Sequence, residues 1–366
     1  MMRRALVAVV TALAGSVPPA VAQQRPTVRL VLLGQALIRH DPRGVLDAPS
    51  SSIVPMLSAA DVVFTNYEGV ILSKGCVCAP TRGGNAAALH GAPPVILDYL
   101  QSLHINLLSL ANNHAWDYGT DAVVVTLDEA RARHLNPAGT GRTLAEATAP
   151  ALIRVHGVTV ALLAMATVKI SDSAAATATR PGVNLLRLDN TADWDRNIAA
   201  IRDARKRADV VIVYHHFQTV GTPAWQHRWA HAAIEAGASV YLAHGDPWLA
   251  GVESYHGRPI FYGLGNYIFQ TTTELGHYPP EVWDSVIADV TIGRDTVSDV
   301  RMTPIVMGQG TPGPTFLEGR GFPELASADT SRRILERLAT MSAADGATLG
   351  IRDGVGVLAP TARADP

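Results

Sequence analysis

Five apolar runs in this sequence each end in side chains able to bind a cation or move a proton. "TVRLVLLG" stops at Gln35, and "DVVFTN" releases Asn66 and then Glu68. "INLLSLA" breaks off at Asn112, Asn113 and His114, "DVVIVYHH" closes on His215 and His216, and "SVYLAH" ends in His244 with Asp246 just beyond. Carboxylate, amide and imidazole donors together suit a borderline divalent ion such as Mn2+, Zn2+ or Fe2+, whereas an all-oxygen set would suit Ca2+ or Mg2+. An ion held there lowers the pKa of a bound water toward ~7 and polarises a phosphoryl or carbonyl oxygen. A histidine beside the ion, not bound to it, can act as general acid. Taken singly, each residue has a plainer reading. Asn112 or Asn113 can cap a turn, Glu68 can be a loop carboxylate, and His244 can be a satisfied core histidine. His215 and His216 point to opposite faces of a strand, so at most one of them is a ligand. The repetition at matched strand ends is what favours a site.

The elements that must position these residues are legible as a pattern. Short runs rich in Val, Ile and Leu, including "VTVALLAMAT" and "RPIFYGLGNYIF", alternate with amphipathic stretches. "PPVILDYLQSL", "TDAVVVTLDEARAR", "ADWDRNIAAIRDARKRA" and "AWQHRWAHAAIEAG" read as helices, the second capped by Thr120. Such alternation predicts an α/β fold around a buried sheet. Loops at the carboxyl ends of such strands converge on one crevice. Residues 27–306 read as one catalytic-size unit. "GQGTPGP" then reads as a linker, and residues 307–366 as a C-terminal extension with one helix, capped by Ser327 or Asp329.

Of 366 residues, 48% are hydrophobic and 17% charged, which provides for a large core; a net charge of −2 offers no basic face to nucleic acid. Arg3 and Arg4 precede the run "ALVAVVTALAG", and an Ala-x-Ala site ends at Ala22. These are the parts of a signal peptide over residues 1–22, so the expected location is secreted or periplasmic. An uncleaved membrane anchor is the weaker reading, because the apolar run is too short to span a bilayer. Cys76 and Cys78 read as a local disulfide or as free thiols in a surface loop, without a catalytic role. The remaining histidines, His90 among them, read mostly as surface residues. His227 and His231, four apart on a helix, could clasp a metal, but no carboxylate motif stands near them in sequence. No Gly-x-Ser-x-Gly elbow is present, which argues against a serine hydrolase.

In the order "GQALIR", "TNYEGVI", "LLSLANNHAWDYG", "GTGRTLAEATAP", "DVVIVYHH", "AGASVYLAHGDP" and "GVESYHGRPIFYGLGNYIFQ", residues 28–270 resemble the CapA family of capsule-biosynthesis proteins, named for poly-γ-glutamate capsule. That family is similar in fold to calcineurin-like metallophosphatases, which implies two packed β-sheets flanked by helices around a two-metal site. Carried over, the resemblance makes Glu68, Asn113, His216 and His244 metal ligands and His114 the catalytic acid. A one-residue slip would choose His215 in place of His216. Two positions depart from the family pattern: Gln35 stands where a ligating Asp is usual, and Pro247 replaces a second histidine. The implied result is one well-formed divalent site and a second that is weak or absent, with Asp246 a partial substitute and Asn66 and Asn112 nearby. The implied function is an exported, metal-dependent hydrolase of a phosphoester or amide bond in an anionic polymer or peptide, working with capsule-assembly proteins. The alternative is a non-catalytic polyanion-binding or scaffold protein with a degenerate metal site.

Overall fold

In the computed structural model, residues 26–44, 52–81, 89–167, 169–217, 223–310, 313 and 316–359 are described. The expected signal peptide, residues 1–22, lies outside the described residues. The chain opens with β1 (Thr27–Leu37), α1 (Val54–Ser58), β2 (Val62–Tyr67), β3 (Val70–Ile71), β4 (Gly91–Ala92), α2 (Val95–Ser102), β5 (Leu107–Ser109) and α3 (Gly119–Ala132). It continues through β6 (Pro137–Ala138), β7 (Thr140–Gly141), α4 (Leu144–Thr148), β8 (Ala151–Val155), β9 (Val158–Thr167), β10 (Gly182–Val183) and α5 (Thr191–Arg207). Then come β11 (Val210–Phe217), α6 (Pro223–Glu235), β12 (Val240–Gly245), β13 (Val252–Tyr255), β14 (Arg258–Phe261) and β15 (Asn266–Phe269). The last elements are β16 (Asp284–Gly293), β17 (Val297–Met307), β18 (Pro323–Leu325), α7 (Ala328–Ala344), β19 (Leu349–Arg352) and β20 (Val355–Leu358).

Strands β1, β2, β5 and β6 run parallel in the first sheet and are extended antiparallel through β16, β17, β20 and β19; β15 also pairs with β1, and β18 with β17. The second sheet has the order β13-β14-β12-β11-β9-β8, with β14, β12, β11 and β9 parallel. The continuous apolar runs are explained by burial on both faces. Leu30, Leu32 and Phe64 of the first sheet pack on Leu162, Ile212 and Leu242 of the second. Behind the first sheet, Val31, Leu33 and Leu108 meet Ile96, Leu100 and Leu127 of α2 and α3. Behind the second, Val211, Val213 and Tyr241 meet Ile201 of α5 and Trp229 of α6. This is the α/β arrangement of two packed sheets flanked by helices that the metallophosphatase-like resemblance implied.

Four local features bear on what the sequence pattern predicts, two of them as expected. Thr120 lies within the first turn of α3 and does not cap it; the helix begins one residue earlier at Gly119, whose φ is +78°. Ser327 does cap α7, accepting from the Thr330 N–H. The C-terminal extension carries β18, β19 and β20 beside its helix, all joined to the first sheet. Strands of three or four residues are too short for a period-2 signal to stand out. Cys76 and Cys78 form a disulfide.

Gly34 marks the point where β1 exchanges β16 for β15 as its neighbour. A Cβ there would lie 2.4 Å from the Gly265 carbonyl oxygen, which is backbone and cannot turn aside. Gly34→Ala is therefore expected to cost about 1–3 kcal/mol in denaturant unfolding. His215, on the helix-covered face of β11, is buried with Nδ1 2.8 Å from Tyr241 Oη and Nε2 2.7 Å from Thr167 Oγ1. Burial pushes its pKa down to about 3 from 6.5. The folded state therefore refuses a proton that the unfolded chain accepts, and stability is lost as pH falls from about 6.5 toward 3. Removing this histidine, as in His215→Gln, should flatten the acid side of the stability profile by about 1.4 kcal/mol per pH unit across that window.

Candidate metal centre

Register places the strand ends of each sheet side by side. Gln35 of β1 is level with Asn66 of β2 on one side and with Asn266 of β15 on the other, and Asn66 is level with Ser109 of β5. In the second sheet His216 of β11 is level with His244 of β12. The two sheets meet at this edge through the bond between Asn113 Oδ1 and His216 Nε2 at 2.7 Å and through Asn266 Nδ2, which donates to the Pro247 carbonyl just past β12 at 3.1 Å.

Asn112 and Asn113 do different work in the turn after β5. Asn112 is fully buried; its Oδ1 accepts the His114 N–H at 3.0 Å and its Nδ2 donates to the Tyr67 carbonyl at 2.7 Å. That ties the turn to the end of β2 and aims Asn113 and His114 at the space between the sheets. Three residues on, the buried Asp117 carboxylate accepts from the His90 N–H at 2.9 Å and lies 2.7 Å from His114 Nδ1. A carboxylate in this position only accepts, so Nδ1 carries a hydrogen and Nε2 is the nitrogen turned toward Glu68, 4.0 Å away. The His90 ring stacks on His114 with centroids 3.5 Å apart.

Glu68 follows β2, only 5% exposed, its N–H held by the Ala36 carbonyl at 2.9 Å. Burial raises its pKa to about 7, with the Asp117 charge adding to the rise and the His114 and Arg39 charges opposing it. One donor atom each from Glu68, His90 and His114 lies within 4.8 Å of the others, a spacing that could hold a metal ion. Glu68 Oε1 is also 4.0 Å from His216 Nε2. Burial and the neighbouring imidazoles hold the His216 pKa well below its usual value.

Of the residues singled out from sequence, Glu68, Asn113, His114 and His216 are thus in mutual reach, and His244 sits on the strand beside His216. Gln35, Asn66 and Asn112 form an amide cluster next to them: Gln35 Nε2 donates to Asn266 Oδ1 at 2.9 Å, and Asn112 Nδ2 lies 3.4 Å from Asn66 Oδ1. Asp246 is half-buried just past β12. His215 faces the other side of its sheet, away from the group. His90 and Asp117 were not singled out. Asp117 was legible, since a carboxylate three residues after His114 can reach back to its ring. His90 gave no such signal, because it precedes a two-residue strand and owes its place to pairing between β3 and β4.

The donor set fits a divalent ion by one observation above others. Both ring nitrogens of His244 are buried without a hydrogen-bond partner, and burial holds this imidazole neutral with a pKa of about 3. A neutral imidazole with an unsatisfied nitrogen pair is a metal ligand in waiting. His216 Nε2–H donates to Asn113 Oδ1, and a cation can take the place of that hydrogen. By contrast, Gln35 Oε1 is buried and unpartnered but carries no charge to offer a second ion. A cavity of about 310 Å3 opens beside Asn113, lined also by Thr81, Trp116, Lys169 and Ser171.

Comparison with known proteins agrees with the motif order. The family described as bacterial capsule synthesis protein PGA_cap matches residues 29–271. The chain is 32% identical to the PGA biosynthesis protein CapA of Bacillus subtilis over 78% of this chain and 71% of that one. It is 23% identical to the capsule biosynthesis protein CapA of Bacillus anthracis over 82% and 72% of the two chains. An uncharacterised protein of Sinorhizobium fredii is 27% identical over 84% of this chain and 88% of its own. The family match takes in the parallel core of both sheets and every strand end just described, and on that ground the chain belongs to the CapA family of bacterial capsule synthesis proteins.

Proposed function

We propose that this chain is an exported, metal-dependent hydrolase of a phosphoester or amide bond in an anionic polymer or peptide, acting in capsule or polyglutamate-type polymer metabolism beside capsule-assembly proteins. The observation that carries the reading is the oriented pair His114–Asp117 next to Glu68. A protein that only binds polymer has no use for an imidazole whose Nδ1 is fixed on a buried carboxylate. Glu68, His90, Asn113, His216 and His244 would hold the ion. When bound, a divalent ion of the Mn, Zn or Fe kind supplies an activated water and polarises the scissile oxygen. With both ring nitrogens protonated, His114 would give its Nε2 proton to the leaving group and keep its Nδ1 hydrogen on Asp117, which holds the ring from turning. Arg39, whose charge acts on both Glu68 and Asp117, and Lys169 at the cavity beside Asn113 supply positive charge for a polyanion. Export is supported by the charged and apolar residues before Ala22 and by the Cys76–Cys78 disulfide, which persists in an oxidising compartment.

A second reading has its own observation. Gln35 places an uncharged amide where the family usually has a ligating carboxylate, which favours a binding or scaffold protein with a degenerate centre. Turnover separates the two. In a screen of phosphodiesters and γ-glutamyl peptides with Mn2+ or Zn2+ present, His114→Ala should lower kcat by about 10²–10⁴. Equal rates in the two proteins would remove His114 from the reaction, and no turnover of any substrate with polymer binding retained would favour the scaffold.

The ion itself can be tested through pH. Because the Glu68 pKa is raised from 4.5 to about 7, its protonated form is the one favoured in the fold below that value, and ion binding must displace the proton. By titration calorimetry, Mn2+ or Zn2+ affinity should rise by roughly tenfold in all as pH increases from 6 to 8, and flatten above about 7 once Glu68 has lost its proton. Glu68→Gln should bind more weakly and lose its share of that slope. An affinity independent of pH in the unaltered protein would exclude Glu68 as a ligand.

A further inference from the structure

The pair His227 and His231, which the proposed reaction leaves unused, acquires in the folded chain the carboxylates that its sequence neighbourhood lacks. We propose a second metal-binding site, of zinc type, in which His227 Nδ1, His231 Nε2 and Glu253 are the ligands and Asp345 positions His227. Four-residue spacing on α6 sets both imidazoles on one face of the helix. Glu253 comes from β13, and Asp345 is the residue that ends α7. His231 Nε2 lies 2.7 Å from Glu253 Oε1, and His227 Nδ1 lies 4.0 Å from Glu253 Oε2. Ligands of one tetrahedral zinc ion, with bonds of about 2.0–2.1 Å, stand roughly 3.4 Å apart. Each imidazole thus faces a different oxygen of Glu253, and the two rings, 6.5 Å apart between centroids, must swing toward each other to share one ion. Two imidazoles and one carboxylate are a recognised zinc set that leaves a coordination position open.

The surroundings hold these groups in place. Tyr255 stacks on His231 at 3.8 Å and Tyr262 on His227 at 4.3 Å, while Tyr262 Oη donates to Glu253 Oε2 at 2.6 Å. His227 Nε2, the nitrogen turned away from Glu253, lies 3.5 Å from Asp345 Oδ1. That is the carboxylate–histidine arrangement which fixes a ligand ring and raises its basicity. The backbone leaves room for it: a Cβ on Gly251 would come within 2.0 Å of Asp345 Oδ2. Both imidazoles are about one-third exposed, so an ion can enter from solvent.

The test is zinc binding by the full chain, measured by equilibrium dialysis with zinc chloride alone and by melting temperature. In the Glu68→Gln protein, whose first site binds more weakly, about one equivalent of zinc should bind tightly at this second site and raise the melting temperature. Adding His227→Gln and His231→Gln should abolish that equivalent and the thermal shift. Retention of the same zinc by a chain carrying both substitutions, with native circular dichroism, overturns the proposal. Should that chain fail to fold, Asp345→Asn decides alone: zinc affinity weaker by about 10–100-fold supports the site, and unchanged affinity overturns it.

Discussion

Glu68 is a carboxylate removed from water, and the cost of charging it there shapes what surrounds it. A carboxylate buried without a partner would neutralise itself by taking a proton, and the rise of its pKa to about 7 records that pull. The fold answers with groups that favour the charged form: His114 on one side, Arg39 at longer range, and a ring of imidazole and amide donors suited to a cation. They arrive from the ends of β1, β5, β11 and β12 and from the residue before β4. That requires the two parallel cores to present their carboxyl ends at the same edge, so the topology of both sheets and the chemistry of one side chain are parts of one arrangement.

The Asn113–His216 bond gives this arrangement its rigidity. It adds a buried polar link to two sheets whose shared core is largely apolar, with side chains such as Leu32 and Leu162 in contact. Dispersion contacts of that kind tolerate small slips, whereas a 2.7 Å hydrogen bond between buried groups does not. Asn112 extends the constraint by anchoring the turn to Tyr67. The amide pair that interrupts an apolar run in the sequence is thus a structural anchor followed by a site residue.

Much of this was legible because it is written in periodicity. Runs such as "DVVIVYHH" are apolar without alternation, which marks strands covered on both faces, and their polar endings point to a crevice. The choice of His216 over His215 needed only the direction of the strand and the family motif. What was not legible lay in long-range pairing. His90 reaches the centre because β4 pairs with β3 and its backbone N–H meets Asp117, and neither is encoded near position 90. Glu253 and Asp345 likewise meet His227 across separations of 26 and 118 positions, too far for any local spacing rule. The short strands after residue 307 were missed for a different reason, since runs of three or four residues carry no period.

Those late strands alter what the segment after the Gly- and Pro-rich stretch is for. On the side away from β16, β17 is covered by β20 near Arg301 and by β18 near Ile305. Stripped of them, an eleven-residue strand would present a row of bare amides and carbonyls along the sheet's margin. Such a margin is a template for pairing with another chain. The tail therefore serves as a seam, and a protein shortened at the apparent linker would be prone to stick to itself even with every residue of its candidate metal site intact.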